Sequence, residues 1–342
     1  MKRNRPVYFL FLFSISYFAS HAQLHDSTRR YVNACVDLMQ KESLYSNRVN
    51  WKMIRDSVDL QLQQASSSRQ AEETVIWVFK QLKDNHGFYG GIDTSYRYSK
   101  PGPERIFSHG ILEEYKKPRA VKTAMLENGI AYYKMPAVLI GSNTTKMKQW
   151  ANLLTDSLCK LEAQQPRAYI IDLRMNNGGN SEPMWQALKN LLGENNRTYM
   201  ANARKKILPD ENDSATLAYK AAAVPDHPCV FRKNIPVAVL IGPGTASSGE
   251  IMALSFTTRA HTKLFGEPTI GVANVTNGFP VQDKGYLLLT VGYIANARKK
   301  ILGDYFIEPD LFIKSDDNYT APEKDITVQA AMQWLNARQK KK

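Results

Sequence analysis

One serine in this sequence stands where a side chain can do covalent chemistry. Residues 237–256, VAVLIGPGTASSGEIMALSF, run as a buried apolar strand into Gly242-Pro243-Gly244. They then turn through Thr245-Ala246-Ser247-Ser248-Gly249-Glu250 and resume with helical spacing. A serine at such a corner sits at a helix N-terminus, where unpaired N–H groups and the helix dipole favour developing negative charge. The layout is that of a nucleophile elbow: Ser247 supplies the hydroxyl and the Ser248 N–H one oxyanion donor. The plainer alternative is that Thr245 or Ser247 simply caps the helix.

A hydroxyl is a poor nucleophile until a base accepts its proton, so the remaining polar motifs matter. Asp84-Asn85-His86 follows a helical segment and offers an imidazole suited to neutral pH, with Asp84 able to orient it. His109 is the reserve base, while His227 and His261 read as surface residues. A second strand, Ala168 to Leu173, leads into Arg174-Met175-Asn176-Asn177-Gly178-Gly179. Glycines there permit positive φ and close approach, so Gly178 or Gly179 could offer the second oxyanion N–H. Asp172 and Arg174 are expected to pair and lock that loop. Phe265-Gly266-Glu267-Pro268-Thr269-Ile270-Gly271-Val272 and Ile307-Glu308-Pro309-Asp310 complete the set.

The elements that must position these groups form an α/β pattern. Residues 27–85 read as helices, and 88–125 show no strong period. From Gly129 strands and helices alternate: strand 130–134, helix 144–161, strand 168–173, helix 183–192, strand 237–241 and helix 247–257. Residues 209–228 read as an irregular insertion, and 262–266, 286–293 and 305–313 as strands. The division expected is 1–22 signal peptide, 23–125 helical region and cleft-lining segment, 126–320 core domain, and 321–342 C-terminal helix with basic tail. The octapeptide ANARKKIL occurs at 201–208 and again at 295–302. Two copies make no array, and the sequence offers no account of them.

Residues 1–22 combine Lys2, Arg3 and Arg5 with an apolar stretch and small residues before Ala22, the pattern of an export signal cleaved there. A soluble periplasmic or secreted protein is expected, without a membrane span. The net charge of +13 would fall to +10 on cleavage. Much of it sits in short runs that read as solvated faces, and no nucleic-acid motif is present. Cys35, Cys159 and Cys229 allow at most one disulfide and lack structural-zinc spacing. No metal or other cofactor is called for, and the oligomeric state is open.

The order D-x-H, DLR-x-N-x-GG, TASSGE, GEPT-x-G and I-x-PD resembles the carboxy-terminal processing (tail-specific) peptidase family. The resemblance implies a Clp-protease/crotonase-like core and a serine peptidase acting on peptides or proteins, with Ser247 as nucleophile. Where the processing branch places a lysine base, this chain has Val272, so the tricorn-like and retinoid-binding-protein-like branch, with His86 as base, fits better. That branch also implies an acid orienting the histidine, for which Glu308, Asp304 and Asp84 are candidates. Relatives often carry serine after this histidine, where Gly87 stands here. A PDZ module is not expected, since 88–125 is too short for one. A catalytically silent member that binds peptides or apolar ligands, and an esterase using the same serine, are the alternatives.

Overall fold

The computed structural model describes residues 26–99, 106–210 and 213–339, so the expected signal peptide lies outside the described residues. Helices α1 (Asp26–Glu42), α2 (Trp51–Gln64) and α3 (Ser68–Leu82) come first, followed by β1 (Phe88–Gly90), β2 (Ser95–Tyr96) and α4 (His109–Tyr115). Then come β3 (Lys122–Leu126), β4 (Ile130–Lys134), α5 (Thr144–Glu162), β5 (Ala168–Asp172), α6 (Ser181–Leu192), β6 (Tyr199–Ala201) and α7 (Ser214–Ala222). The chain ends through β7 (Val237–Ile241), α8 (Ser248–Phe256), β8 (Thr262–Gly266), β9 (Val275–Val281), β10 (Gly285–Ala295), β11 (Leu311–Phe312) and α9 (Ile326–Gln339).

Two sheets organise these elements. The larger has the order β11-β8-β7-β5-β4-β3, parallel except for the edge strand β3. Its central strands are apolar throughout because both faces are covered. Tyr133, Ile171 and Val239 share a core with α5, α6 and α8 residues such as Leu158, Leu188 and Met252. The alternate positions Tyr132, Ile170 and Leu240 pack on Val328, Ala331 and Leu335 of α9. The smaller sheet is antiparallel, β2-β1-β10-β6 with β9 on β10. Helices α1 to α3 bury Tyr31, Val36, Val75 and Phe79 against its Leu287 and Leu289. The helical N-terminus is thus completed by strands from the far end of the chain.

Three segments differ from the sequence expectation. The insertion at 209–228 contains α7, where Ala-rich composition favours helix and Asp213 Oδ1 accepts from the Thr216 N–H. Of the strand expected at 305–313 only β11 pairs, because the Ile307 N–H turns aside to Thr269 Oγ1. Strand β9, and the second sheet with it, is absent from the sequence reading.

The duplicated octapeptide acquires a structural account. Each copy is an asparagine-held hairpin: Asn202 Oδ1 accepts from Arg204 and Lys206, and Asn296 Oδ1 from Arg298 and Lys300. Lys205 and Lys299 take left-handed φ values of 59° and 60° at equivalent positions. The strands that lead into the copies pair antiparallel through Tyr199↔Ala295, Met200↔Ile294 and Ala201↔Tyr293, so a local two-fold axis relates them. The same sequence does the same work on both sides of that axis. Elsewhere Cys159 of α5 is joined to Cys229 by a disulfide, and Cys35 is a buried free thiol.

Candidate active site

The serine corner is built by its own neighbourhood. β7 ends at Ile241, and the Gly242 N–H donates to Thr245 Oγ1, which in turn donates to the Leu173 carbonyl. The Ala246 N–H donates to the Asn176 carbonyl, tying the corner to the loop after β5. Ser247 then adopts φ 51° and ψ −120°, a conformation costing a non-glycine residue on the order of 1–3 kcal/mol. Glu250, fully buried one turn into α8, holds it there. Its carboxylate accepts from the Ser247 N–H at 3.0 Å, from Thr269 Oγ1, and from the Gly271 and Val272 N–H groups at 2.8 Å each. Burial raises the Glu250 pKa, while those hydrogen bonds pull it back.

His86 arrives from the other sheet. α3 ends at Lys83 in the left-handed conformation, and the following turn wraps round Asp84. Asp84 accepts from the His86 and Gly87 N–H groups and from both the N–H and hydroxyl of Thr290 on β10. The ring then lies with Nε2 3.1 Å from Ser247 Oγ. The ring is almost fully buried, which lowers its pKa to about 4; Asp84 opposes that shift and Arg97 adds to it. The imidazole is therefore neutral near pH 7 and able to accept a proton. Arg97 also donates to the His86 carbonyl.

The expected orienting acids do not meet the ring. Nδ1 is buried and makes no hydrogen bond of regular geometry, although the nearby Asn274 carbonyl favours its protonated form. Asp84 is used by its own turn and by Thr290. Asp304 accepts from Tyr45, Arg48 and the Asn274 side chain, and so reaches the histidine only through Asn274. Glu308 is exposed and lines a cavity whose walls include neither His86 nor Ser247. His109 is exposed on α4, and His227 and His261 are exposed as expected.

The loop after β5 meets the serine directly. A Cβ on Gly178, at φ 104°, would stand 2.6 Å from Ser247 Cβ, so only glycine fits. The Gly178 N–H already donates to Asn176 Oδ1, which leaves the Gly179 N–H beside that of Ser248 as the better candidate donor pair. The expected Asp172–Arg174 pair is present, and Arg174 also binds Asp317 and Asp325 at 2.7 and 2.8 Å. Gly87 is explained as well, since a Cβ there would fall 2.6 Å from Asp84 Oδ2. The sequence reading missed Glu250, Asn176, Asn274 and Thr290. Glu250 alone carried a signal, as an acid three residues after a helix-capping serine. Among the described residues no cluster suits a metal ion.

Comparison with known proteins places the chain in a family. The nisin-resistance protein of Lactococcus lactis subsp. lactis is 24% identical over 287 residues, covering 83% of each chain. The carboxy-terminal processing protease CtpA of Bacillus subtilis (strain 168) is 25% identical over 202 residues; that match covers 55% of this chain and 40% of CtpA. Among solved structures, a lipoprotein from Streptococcus agalactiae shares the fold with a TM-score of 0.68 at 20% identity, over 91% of this chain and 96% of that one. The pattern of Peptidase family S41 matches residues 130–313, more than half of the chain, and the chain therefore belongs to that family.

Proposed function

We propose that this S41 peptidase is an exported serine peptidase that cleaves peptide bonds with a Ser247–His86 dyad. The observation that carries the reading is the 3.1 Å approach of a neutral, buried His86 Nε2 to the hydroxyl of a strained corner serine. Ser247 Oγ attacks the scissile carbonyl while His86 Nε2 takes its proton. The oxyanion sits between the N–H groups of Ser248 and Gly179. His86 then protonates the departing amine, and a water repeats the sequence to release the acyl group. The nearby Asn274 carbonyl favours the tautomer that leaves Nε2 free to accept. Substrates are peptides or protein tails, as the names of the relatives suggest. Export rests on the N-terminal segment, and no helix of the described residues is long and apolar enough to cross a membrane.

A fluorophosphonate probe tests the reading. The wild-type protein is expected to label at Ser247, Ser247→Ala to lose labelling and peptidase activity completely, and His86→Ala to lose at least 10³-fold in rate. Labelling that survives in Ser247→Ala overturns the nucleophile. A folded wild type that neither labels nor cleaves favours a binding protein on the same scaffold.

A further inference from the structure

Against the loop that meets the serine lies a small cavity of about 180 Å³ whose walls include Tyr115, Pro136, Met175, Asn177 and Arg119. Its place is fixed by contacts already described. Met175 and Asn177 flank Asn176, whose carbonyl holds the Ala246 N–H, and Asn177 precedes the glycine that touches Ser247. The Tyr115 hydroxyl closes on Gly244, three residues before the serine. A side chain or terminus next to a scissile bond on Ser247 therefore has this cavity within reach.

The charge around the cavity is lopsided. Glu114 is the acid in its wall, and three ammonium groups converge on it: Lys117 at 3.1 Å, Lys122 at 3.0 Å and the buried Lys134. One carboxylate among three lysines leaves an excess of positive charge. Arg119 adds to it, exposed and without an ion-pair partner among the described residues. The compensating surplus of acid, Asp172, Asp317 and Asp325 around Arg174, is buried, and Asp317 and Asp325 face the neighbouring larger cavity instead. The Asn177 side chain lines the small cavity, with its Oδ1 buried behind it. The same amide carries Nδ2 as its donor.

We propose that this cavity is a specificity subsite for a carboxylate adjacent to the scissile bond, with Arg119 its principal determinant, Lys117 its second cation and Asn177 its hydrogen-bonding floor. The proposal rests on the Ser247 peptidase reading and names its substrate class. The carboxylate can be an Asp or Glu side chain or the free C-terminus of the substrate. A fork of guanidinium donors suits either.

The test uses the full chain and a quenched-fluorescent peptide library, with cut sites mapped by mass spectrometry. The best sequence is then resynthesised with Glu, Gln or Lys at each position flanking the cut, and with a free or amidated C-terminus. A side-chain site predicts Glu over Gln by about tenfold in kcat/KM, mostly through KM, with amidation silent. A terminal site predicts the same loss on amidation instead. Arg119→Glu is expected to reverse the preference, and Arg119→Lys to keep most of it. Cleavage that ignores both the Gln exchange and amidation overturns the subsite while leaving the peptidase reading intact. Absence of both cleavage and fluorophosphonate labelling overturns the peptidase reading, and the subsite with it.

Discussion

Ser247 and His86 are neighbours in space, yet their supports come from opposite kinds of structure. Each sits on a turn organised by a fully buried carboxylate that accepts four hydrogen bonds. Glu250 serves the serine turn and Asp84 the histidine turn. Glu250 gathers donors from within 22 residues of itself. Asp84 draws half of its donors from Thr290, 206 residues away on β10. The serine turn is thus a local device on the parallel sheet, whereas the histidine turn exists only once the antiparallel sheet has closed. Neither carboxylate touches the histidine ring. In this chain the acids build loops, which leaves the proposed catalytic pair as a dyad.

That contrast predicts different failures. Asp84→Ala leaves four donors buried without an acceptor across a long-range junction, at a cost on the order of 3–5 kcal/mol. Thermal unfolding is expected to drop by roughly 10 °C for a protein of this size, with activity lost through His86. Glu250→Gln keeps one acceptor oxygen and damages a local turn. Stability falls by about 1–3 kcal/mol, while kcat falls on the order of 10²-fold as Ser247 drifts from its strained position. Equal effects on stability from the two variants, in calorimetry, would erase the distinction between the turns.

The same contrast explains what was legible in the sequence. The parallel-sheet strands, the Gly178–Gly179 loop and the Ser247 corner carry their signals within a dozen residues each, as apolar runs, glycines and small polar residues. Val272 spoke as plainly: an aliphatic side chain cannot serve as the dyad's base, and its backbone N–H instead serves Glu250. Strand β9 was hidden because VTNGFPV alternates weakly and contains both glycine and proline. Thr290 and Asn274 look like ordinary strand and loop residues until the fold places Thr290 of β10 against Asp84 and Asn274 near His86. Glu308 and Asp304 misled for the same reason, since order along the chain does not say which acid reaches the ring.

Glycine substitutions sharpen the comparison at smaller cost. Gly178→Ala forces a Cβ against Ser247 at a φ that L-residues disfavour. It should lose about 1–3 kcal/mol of stability and 10- to 100-fold in kcat, with little change in KM. Gly87→Ser puts its Cβ into Asp84 Oδ2 and the Phe79 ring, so the damage falls on the histidine turn. Introducing the serine that the family resemblance implies at that position should therefore weaken the proposed activity, as a kcat measurement and a thermal melt on the one variant would establish.

The gentlest probe is electrostatic and touches only the histidine side. Burial lowers His86 to about 4, so kcat/KM should hold through mild acid and fall only as pH approaches that value. The folded-state pKa lies below the unfolded value of ~6.5. Between those limits the unfolded chain binds a proton that the native ring refuses. The stabilising contribution is therefore complete above ~6.5 and is lost as pH falls toward about 4. Arg97 adds to the depression from an exposed position, so Arg97→Ala should move the acid limb of kcat/KM upward. High salt should produce part of the same shift in the wild type, because an exposed charge is screened. Glu250 faces the serine turn and should leave that limb where it is. An acid limb that stays fixed in Arg97→Ala would remove Arg97 from the histidine's field, and one that moves with Glu250→Gln would mean that the two turns are not electrostatically separate.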